Sequence, residues 1–243
     1  MPYLVAAAQQ RDIQAVRAEN PALWRQVRRF NLPVQLALAA GDVCAAQAAD
    51  PSRLALISLT PCQSGSPDLF HWTHRLVASA HAGRIGTFRV NPTHTLHAVD
   101  NLALSALAIM HGLRDYGLGL GGAAGQAWNG LDVVLERLSG GHDAEVLLMA
   151  GDQQRSEGGD GLGLALLFAA EPRPYPPLNR PARLLAVERR RLDRPATPRP
   201  HAADGLAAFL ATLEHHQGQH LAYTVPPEHG DGVDQVTVMM ETL

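Results

Sequence analysis

The chain predicts a layered α/β fold with buried sheets, and three observations carry that expectation. Short, near-continuous apolar runs occur at residues 54–59 (LALISL), 145–150 (EVLLMA) and 162–170 (LGLALLFAA), each bounded by polar or breaker residues. Strands covered on both faces read in this way, because neither side of the pleat meets water. These runs alternate with segments of helical periodicity, the pattern of helices laid against a sheet. Between them lies residues 112–131 (GLRDYGLGLGGAAGQAWNGL), a stretch that passes from a helix end through a short strand and a small-residue turn into a second helix.

Taken in order, residues 9–30 are polar and arginine-rich around Trp24 and Phe30, and predict a helix interrupted near Pro21. Pro33 suits the first turn of a helix running to about Ala49, with Leu36, Leu38 and Val43 on its buried side. Residues 54–59 form a buried strand, and residues 68–82 a helix capped by Asp68 after Pro67. The apolar run 101–111 (NLALSALAIMH) predicts another helix. Leu118 and Leu120 then alternate with glycines as a short strand, and Trp128, Leu131, Val134, Leu135 and Leu138 recur at helical spacing. Two strands follow, at residues 145–150 and 162–170, joined by the glycine-rich loop 152–161. From residue 171 to 200 prolines recur and only residues 182–188 read as a strand; residues 203–216 form an amphipathic helix and 233–241 a last strand.

A strand, a sharp small-residue turn and a helix N-terminus together present a reactive side chain well, since the helix end favours developing negative charge. Here Gly121, Gly122, Ala123, Ala124 and Gly125 supply only hydrogens and methyl groups. The same region resembles the nucleophile segment of the β-ketoacyl synthases, the condensing enzymes of fatty-acid and polyketide assembly. Aligning Gly112-Leu113-Arg114 and Leu118-x-Leu120 with that family puts Ala123-Ala124-Gly125 on its Ala-Cys-Ala, so Ala124 falls at the acyl-accepting cysteine. Three further blocks are similar to the family in order and spacing: Arg28-Arg29-Phe30 with residues 35–40 (QLALAA), Val90-Asn91-Pro92 with Asp100-Asn101, and residues 144–151 (AEVLLMAG).

The resemblance implies a truncated thiolase-like α/β/α fold with a buried mixed sheet, without the family's second half and its two active-site histidines. Its domain reading is a helical extension over 1–27, a ketosynthase N-terminal-like domain over 28–170, and a Pro/Arg-rich segment with a helix-strand tail completing that domain over 171–243. It further implies a subunit like the chain-length factor of aryl-polyene-type type II polyketide systems, paired as a heterodimer with a catalytic β-ketoacyl synthase and, through it, with an acyl carrier protein. Alanine has no lone pair to form a thioester, so no catalytic residue and no cofactor are expected, with Ala124 as a vestigial nucleophile position. Residues implied near a tunnel or interface are Asp100, Asn101, Gly121, Gly122, Ala123, Gly125, Gln126 and Trp128. A second reading is a stand-alone acyl-thioester decarboxylase or hydrolase with a reworked site near Asp100, Asn101 and Gln126.

Other features weigh less. The 243 residues, 46% hydrophobic, suffice for a sizeable core, and a formal net charge of −3 argues against nucleic-acid or anionic-membrane partners. Two cysteines, Cys44 and Cys62, form no disulfide framework; with no signal-peptide pattern and no apolar run near the roughly eighteen residues that span a bilayer, the expected location is cytoplasmic. Gly117, Gly119 and Gly122 spell a dinucleotide fingerprint, but the glycines lie within the strand instead of after it. The pairs His71/His74, His94/His97 and His216/His220 lack the third ligand a metal needs. Cys62 reads as a plain loop thiol, and the arginines at 189–191 as a solvated face or strand edge, with carrier-protein docking as the alternative.

Overall fold

In the computed structural model, the described residues are 1–60, 77–78, 81–82, 101–122, 124–153, 161–191, 201–225 and 234–243. They build an eight-stranded mixed sheet in the order β3-β2-β4-β5-β1-β6-β8-β7. The strands are β1 (Tyr3–Gln10), β2 (Ala55–Leu59), β3 (Gly117–Gly119), β4 (Glu145–Gln153), β5 (Gly161–Ala169), β6 (Ala182–Arg191), β7 (His220–Thr224) and β8 (Asp234–Thr242). β3, β2 and β4 run parallel, and every remaining pairing is antiparallel. The six described helices are α1 (Ile13–Glu19), α2 (Pro21–Val27), α3 (Leu32–Ala45), α4 (Leu102–His111), α5 (Ala124–Ser139) and α6 (Ala202–His215).

Local chemistry sets these boundaries. Asn20 accepts from the Leu23 amide at 3.0 Å and Asn31 from the Val34 amide at 3.3 Å, each a side-chain cap placed just before a proline in the first turn. α4 stops at Gly112, whose φ of +65° is a left-handed conformation that glycine adopts without penalty. Between α2 and α3 the buried Gln35 donates to the Phe30 carbonyl at 2.6 Å, tying the Arg28-Arg29-Phe30 turn to the helix that follows it.

One face of the β3-to-β1 half carries α3 and α4, with α1 and α2 packed against α3. α3 sits so low that an added Cβ at Gly163 would come within 2.1 Å of the Leu36 carbonyl oxygen, and one at Gly151 within 2.2 Å of that of Pro33. Gly151 and Gly163 face each other across β4 and β5, so the pair makes one slot for the helix backbone. The opposite face carries α5 and α6. α5 packs on β2 and β4 and also on β6; α6 packs on β4 and β5 and also on β7. The sheet therefore curls around these two helices. The bend falls where β1 meets β6 through only two residue pairs, Tyr3↔Arg183 and Leu4↔Ala182.

The helical extension expected over residues 1–27 is corrected at its start. Residues 3–10 are a strand inside the sheet, paired along its length with β5, because Leu4, Val5 and Ala6 are apolar enough to be buried there. The helix break at Pro21 stands as expected. α3 ends at Ala45 instead of near Ala49, and Val43 is 43% exposed, not buried. β7 was not expected from the sequence. His216 closes α6 while His220 opens β7, so they share no helix face; His216 Nε2 instead meets the His220 carbonyl at 2.8 Å. The predicted helix over 68–82 lies outside the described residues, apart from Val77, Ala78 and His81, which are helical.

Candidate functional site around the vestigial turn

The strand β3, the turn after it and α5 form as the sequence predicts. β3 lies at the end of the sheet, bonded to β2 by the Leu56 amide to the Tyr116 carbonyl (2.9 Å) and the Leu120 amide to the Ser58 carbonyl (2.8 Å). These contacts use residues 116 and 120; the strand alternation turns the backbone groups of Gly117 and Gly119 the other way, toward an edge with no partner strand among the described residues. Gly122 is buried, and its carbonyl accepts from the Ala202 amide at 2.8 Å. That bond joins the turn to the first residue of α6, so α5 and α6 start beside each other at the carboxyl end of β4.

The candidate residues separate into groups. Asp100 and Ala123 lie outside the described residues, as do Cys62, His71, His74, His94 and His97. Ala124 is the first residue of α5. A Cβ at Gly121 would meet no atom within 4 Å, so this glycine is not in crowded space. Gln126 accepts from Asn129 at 2.8 Å, and Asn129 accepts from Arg189 at 2.7 Å; Arg189 also pairs with Asp132 at 2.9 Å. The first arginine of the 189–191 run thus ties β6 to α5. Burial raises the Asp132 carboxyl above its ordinary range, with Arg189 acting in the opposite direction.

Asn101 precedes α4 and is exposed. α4 packs with α3 on one face of the sheet, while α5, which carries Gln126, lies on the other. Trp128 is 1% exposed and packs on Gly205 of α6 and near the Tyr223 ring, with centroids 6.2 Å apart. Its indole Nε1–H finds no acceptor among the described residues, an uncommon state for a buried donor.

One pair was not singled out in the sequence. Asp152, near the end of β4, is 3% exposed, and its Oδ2 lies 2.8 Å from Nδ1 of His201, the residue preceding α6. Burial pulls the His201 imidazole below its ordinary range, while Asp204 acts in the opposite direction. No local signal could have found this pair: an aspartate near a strand end and a histidine in a proline-rich segment meet only through the fold.

At the other end of the strands a cavity of about 540 Å³ is lined by Arg53, Asp115, His142, Glu145 and Arg173, among others. Glu145 is held there by Arg173 and by the Ala49 amide at 2.7 Å. This cavity lies a full strand length from the turn. No helix among the described residues is long and apolar enough to cross a membrane.

No protein-family model matches the chain, and no curated protein does. Solved structures do. A chain of the ketosynthase ApeO in complex with its chain length factor ApeC from Xenorhabdus doucetiae aligns with a TM-score of 0.63 at 11% identity, covering 99% of both chains. The ishigamide ketosynthase/chain length factor aligns with a TM-score of 0.56 at 19% identity, over 88% of this chain and 73% of that one. A type II polyketide synthase acyl-carrier protein complex with its ketosynthase, AntDE:AntF, gives 0.64 at 9% identity over 100% and 99%. The curled mixed sheet, with α5 and α6 inside and α3 and α4 outside, is accordingly the thiolase-like fold found in ketosynthase and chain-length-factor structures.

Proposed function

We propose that this chain is a non-catalytic, chain-length-factor-like subunit that pairs with a catalytic β-ketoacyl synthase in type II polyketide or fatty-acid-type chain elongation, stabilising that enzyme and shaping its acyl tunnel. The observation that carries this reading is the coincidence of two features at one edge. The helix that should present a thiolate starts with Ala124, and the strand leading to it leaves one side of its backbone without a partner among the described residues. An open edge is a template for another chain, and proteins ordinarily cover or charge it. Beside β3, α4 exposes Ile109 to 82% and α3 exposes Val43 to 43%, the two helices being tied by Asp42 and His111 at 2.9 Å. An apolar surface next to an unpaired strand suits an obligate interface, which commonly buries about 2,000 Å² or more.

The fold neighbours support the same reading, since two of them are described as ketosynthase and chain-length-factor assemblies and a third as a ketosynthase with its acyl-carrier protein. Aryl-polyene-type pigment assembly is the pathway class that the sequence resemblance favours. The test is co-expression with a full-length ketosynthase from the same source, followed by sedimentation of the purified material. A 1:1 heterodimer is expected. Gly119→Pro removes an edge-facing N–H while sparing the bonds at residues 116 and 120, so it should release the partner and leave the chain folded. A well-folded monomer with no affinity for the ketosynthase would overturn the proposal.

A further inference from the structure

We propose that the Asp42–His111 pair makes association with the ketosynthase proton-dependent, the subunit holding its partner tightly while His111 is protonated and releasing it as that proton is lost. The inference rests on the heterodimer proposed above and names a regulation of that same surface.

The pair is built into the crossing of two helices. His111 is the last residue of α4, and Leu107 lies one turn before it on the same face. Leu107 is fully buried and sits over Gly41, where an added Cβ would come within 3.1 Å of its side chain. That close contact brings the next residue of α3, Asp42, to the end of α4, and its Oδ1 lies 2.9 Å from His111 Nε2. Beside an ionised carboxylate the shared proton sits on Nε2. The proton that comes and goes is therefore the one on Nδ1, which has no partner among the described residues.

Few other charges face the ring. α4 packs on α3, β2 and β3. β2 and β3 carry no titratable side chain, and α4 has none besides His111. α3 brings Asp42 and Cys44, whose thiol is buried and neutral. Arg114 and Asp115 follow α4 in exposed chain and offset each other. His111 is thus the cation that balances Asp42, and the carbonyls that end α4 add partial negative charge on the same side.

Docking converts this balance into affinity. In the free chain the His111 and Asp42 side chains are 18% and 27% exposed, so water reaches both. A partner seated on Val43 of α3 and Ile109 of α4 spans the two helices and covers the pair that joins them. A protonated pair enters the interface with no net charge. Once the proton is gone, covering the pair strips water from an uncompensated carboxylate, a cost that arises only in the complex. Interface cores are depleted of charged residues, so no replacement cation is expected from the partner. Imidazole is the side chain whose ordinary titration falls between about pH 5 and 8, which lets it switch without unfolding the chain.

The test is the dissociation constant of the heterodimer at about pH 6, 7 and 8 and fixed ionic strength, by sedimentation with a fluorescent label on the ketosynthase. Affinity should fall about 10-fold from the lowest pH to the highest, the scale of one coupled proton. His111→Gln keeps a donor for Asp42 but never a charge, so its affinity should be flat and near that of the unmodified chain at the highest pH. Asp42→Asn inverts the balance, and its affinity should instead rise with pH. An inverted slope is a signature that lost packing cannot give, and it serves if His111→Gln does not fold. A pH-independent affinity of the unmodified chain, or the parental slope in either folded variant, would overturn the inference while the heterodimer stands. Failure to form a heterodimer at any of these pH values would overturn the partnership, and this regulation with it.

Discussion

Every residue of β2 and of β5 is buried, whereas along β8 burial alternates, with Val236, Val238 and Met240 inside and Gln235, Thr237, Met239 and Glu241 partly exposed. The first pattern belongs to a sheet with helices on both faces, α3 and α4 outside and α5 and α6 inside. The second belongs to an antiparallel sheet whose described helices lie on one face only. The two halves therefore specify structure differently. In the β3-to-β1 half, close approach decides what fits: the Gly151–Gly163 slot admits a helix backbone and no side chain. In the β6-β8-β7 half, a binary pattern suffices, and its inward residues serve chiefly to close over Trp128 and Phe209.

The sharpest way to break this contrast is Gly163→Val. Its Cβ would meet the Leu36 carbonyl oxygen at 2.1 Å, with more side chain beyond it, so α3 must leave the sheet. A loss of more than about 4 kcal/mol is expected, enough to unfold a marginal domain, and urea denaturation followed by circular dichroism would measure it. Trp128→Ala, where the two halves meet, should cost about 3–5 kcal/mol, as large aromatic truncations in cores do. If this segment also bounds the partner's tunnel, the variant complex that still assembles should give a different distribution of product lengths. Parental products at parental rates would reduce the subunit to a stabiliser of its partner.

Cys44 probes the first half chemically. Its thiol is fully buried on α3 and points at the Ala165 carbonyl at 3.5 Å, and burial pushes its pKa up to about 12. It should resist alkylation at pH 8 in the folded chain and react promptly in denaturant. Because the folded value lies above the unfolded one, its contribution to stability is complete below the ordinary thiol range and is lost as pH rises toward 12. A Cys44 that labels at the same rate with and without denaturant would contradict the packing of α3.

How much of this was legible follows from the same contrast. The runs at 54–59, 145–150 and 162–170 announced buried strands because both faces are apolar, and the helix and turn between residues 101 and 139 were readable from periodicity and glycines. β1 was obscured because its second half (AAQQ) is polar and small while its pairing is long-range. β7 (HLAYT) is short and only Tyr223 is buried along it, which leaves too little pattern to detect. In the site, the missing nucleophile at Ala124 is a matter of identity and visible at once, whereas Asp152 and His201 lie far apart in sequence and meet only through the folded sheet. Asn101 and Gln126 show the converse: both flank the turn in sequence, yet the helices that carry them, α4 and α5, pack on opposite faces of the sheet.

The smallest expected effect tests the exposed half. Thr237 sits on the outward face of β8, opposite Glu188 of β6 and Thr224 of β7, and its hydroxyl reaches the Thr224 hydroxyl at a long 3.5 Å. Thr237→Val keeps the β-branched shape that strands favour and gives up one weak, solvated contact, so stability should change by no more than about 0.5 kcal/mol. The reverse substitution made inward, Val238→Thr, places a hydroxyl among Tyr223, Phe209 and the other residues of that core, where an unbonded hydroxyl costs about 1–3 kcal/mol. Paired denaturation curves on these two neighbouring positions would isolate facing from propensity. Equal losses would mean that the outward face is covered by something beyond the described residues of this chain, and would redraw the comparison between the halves.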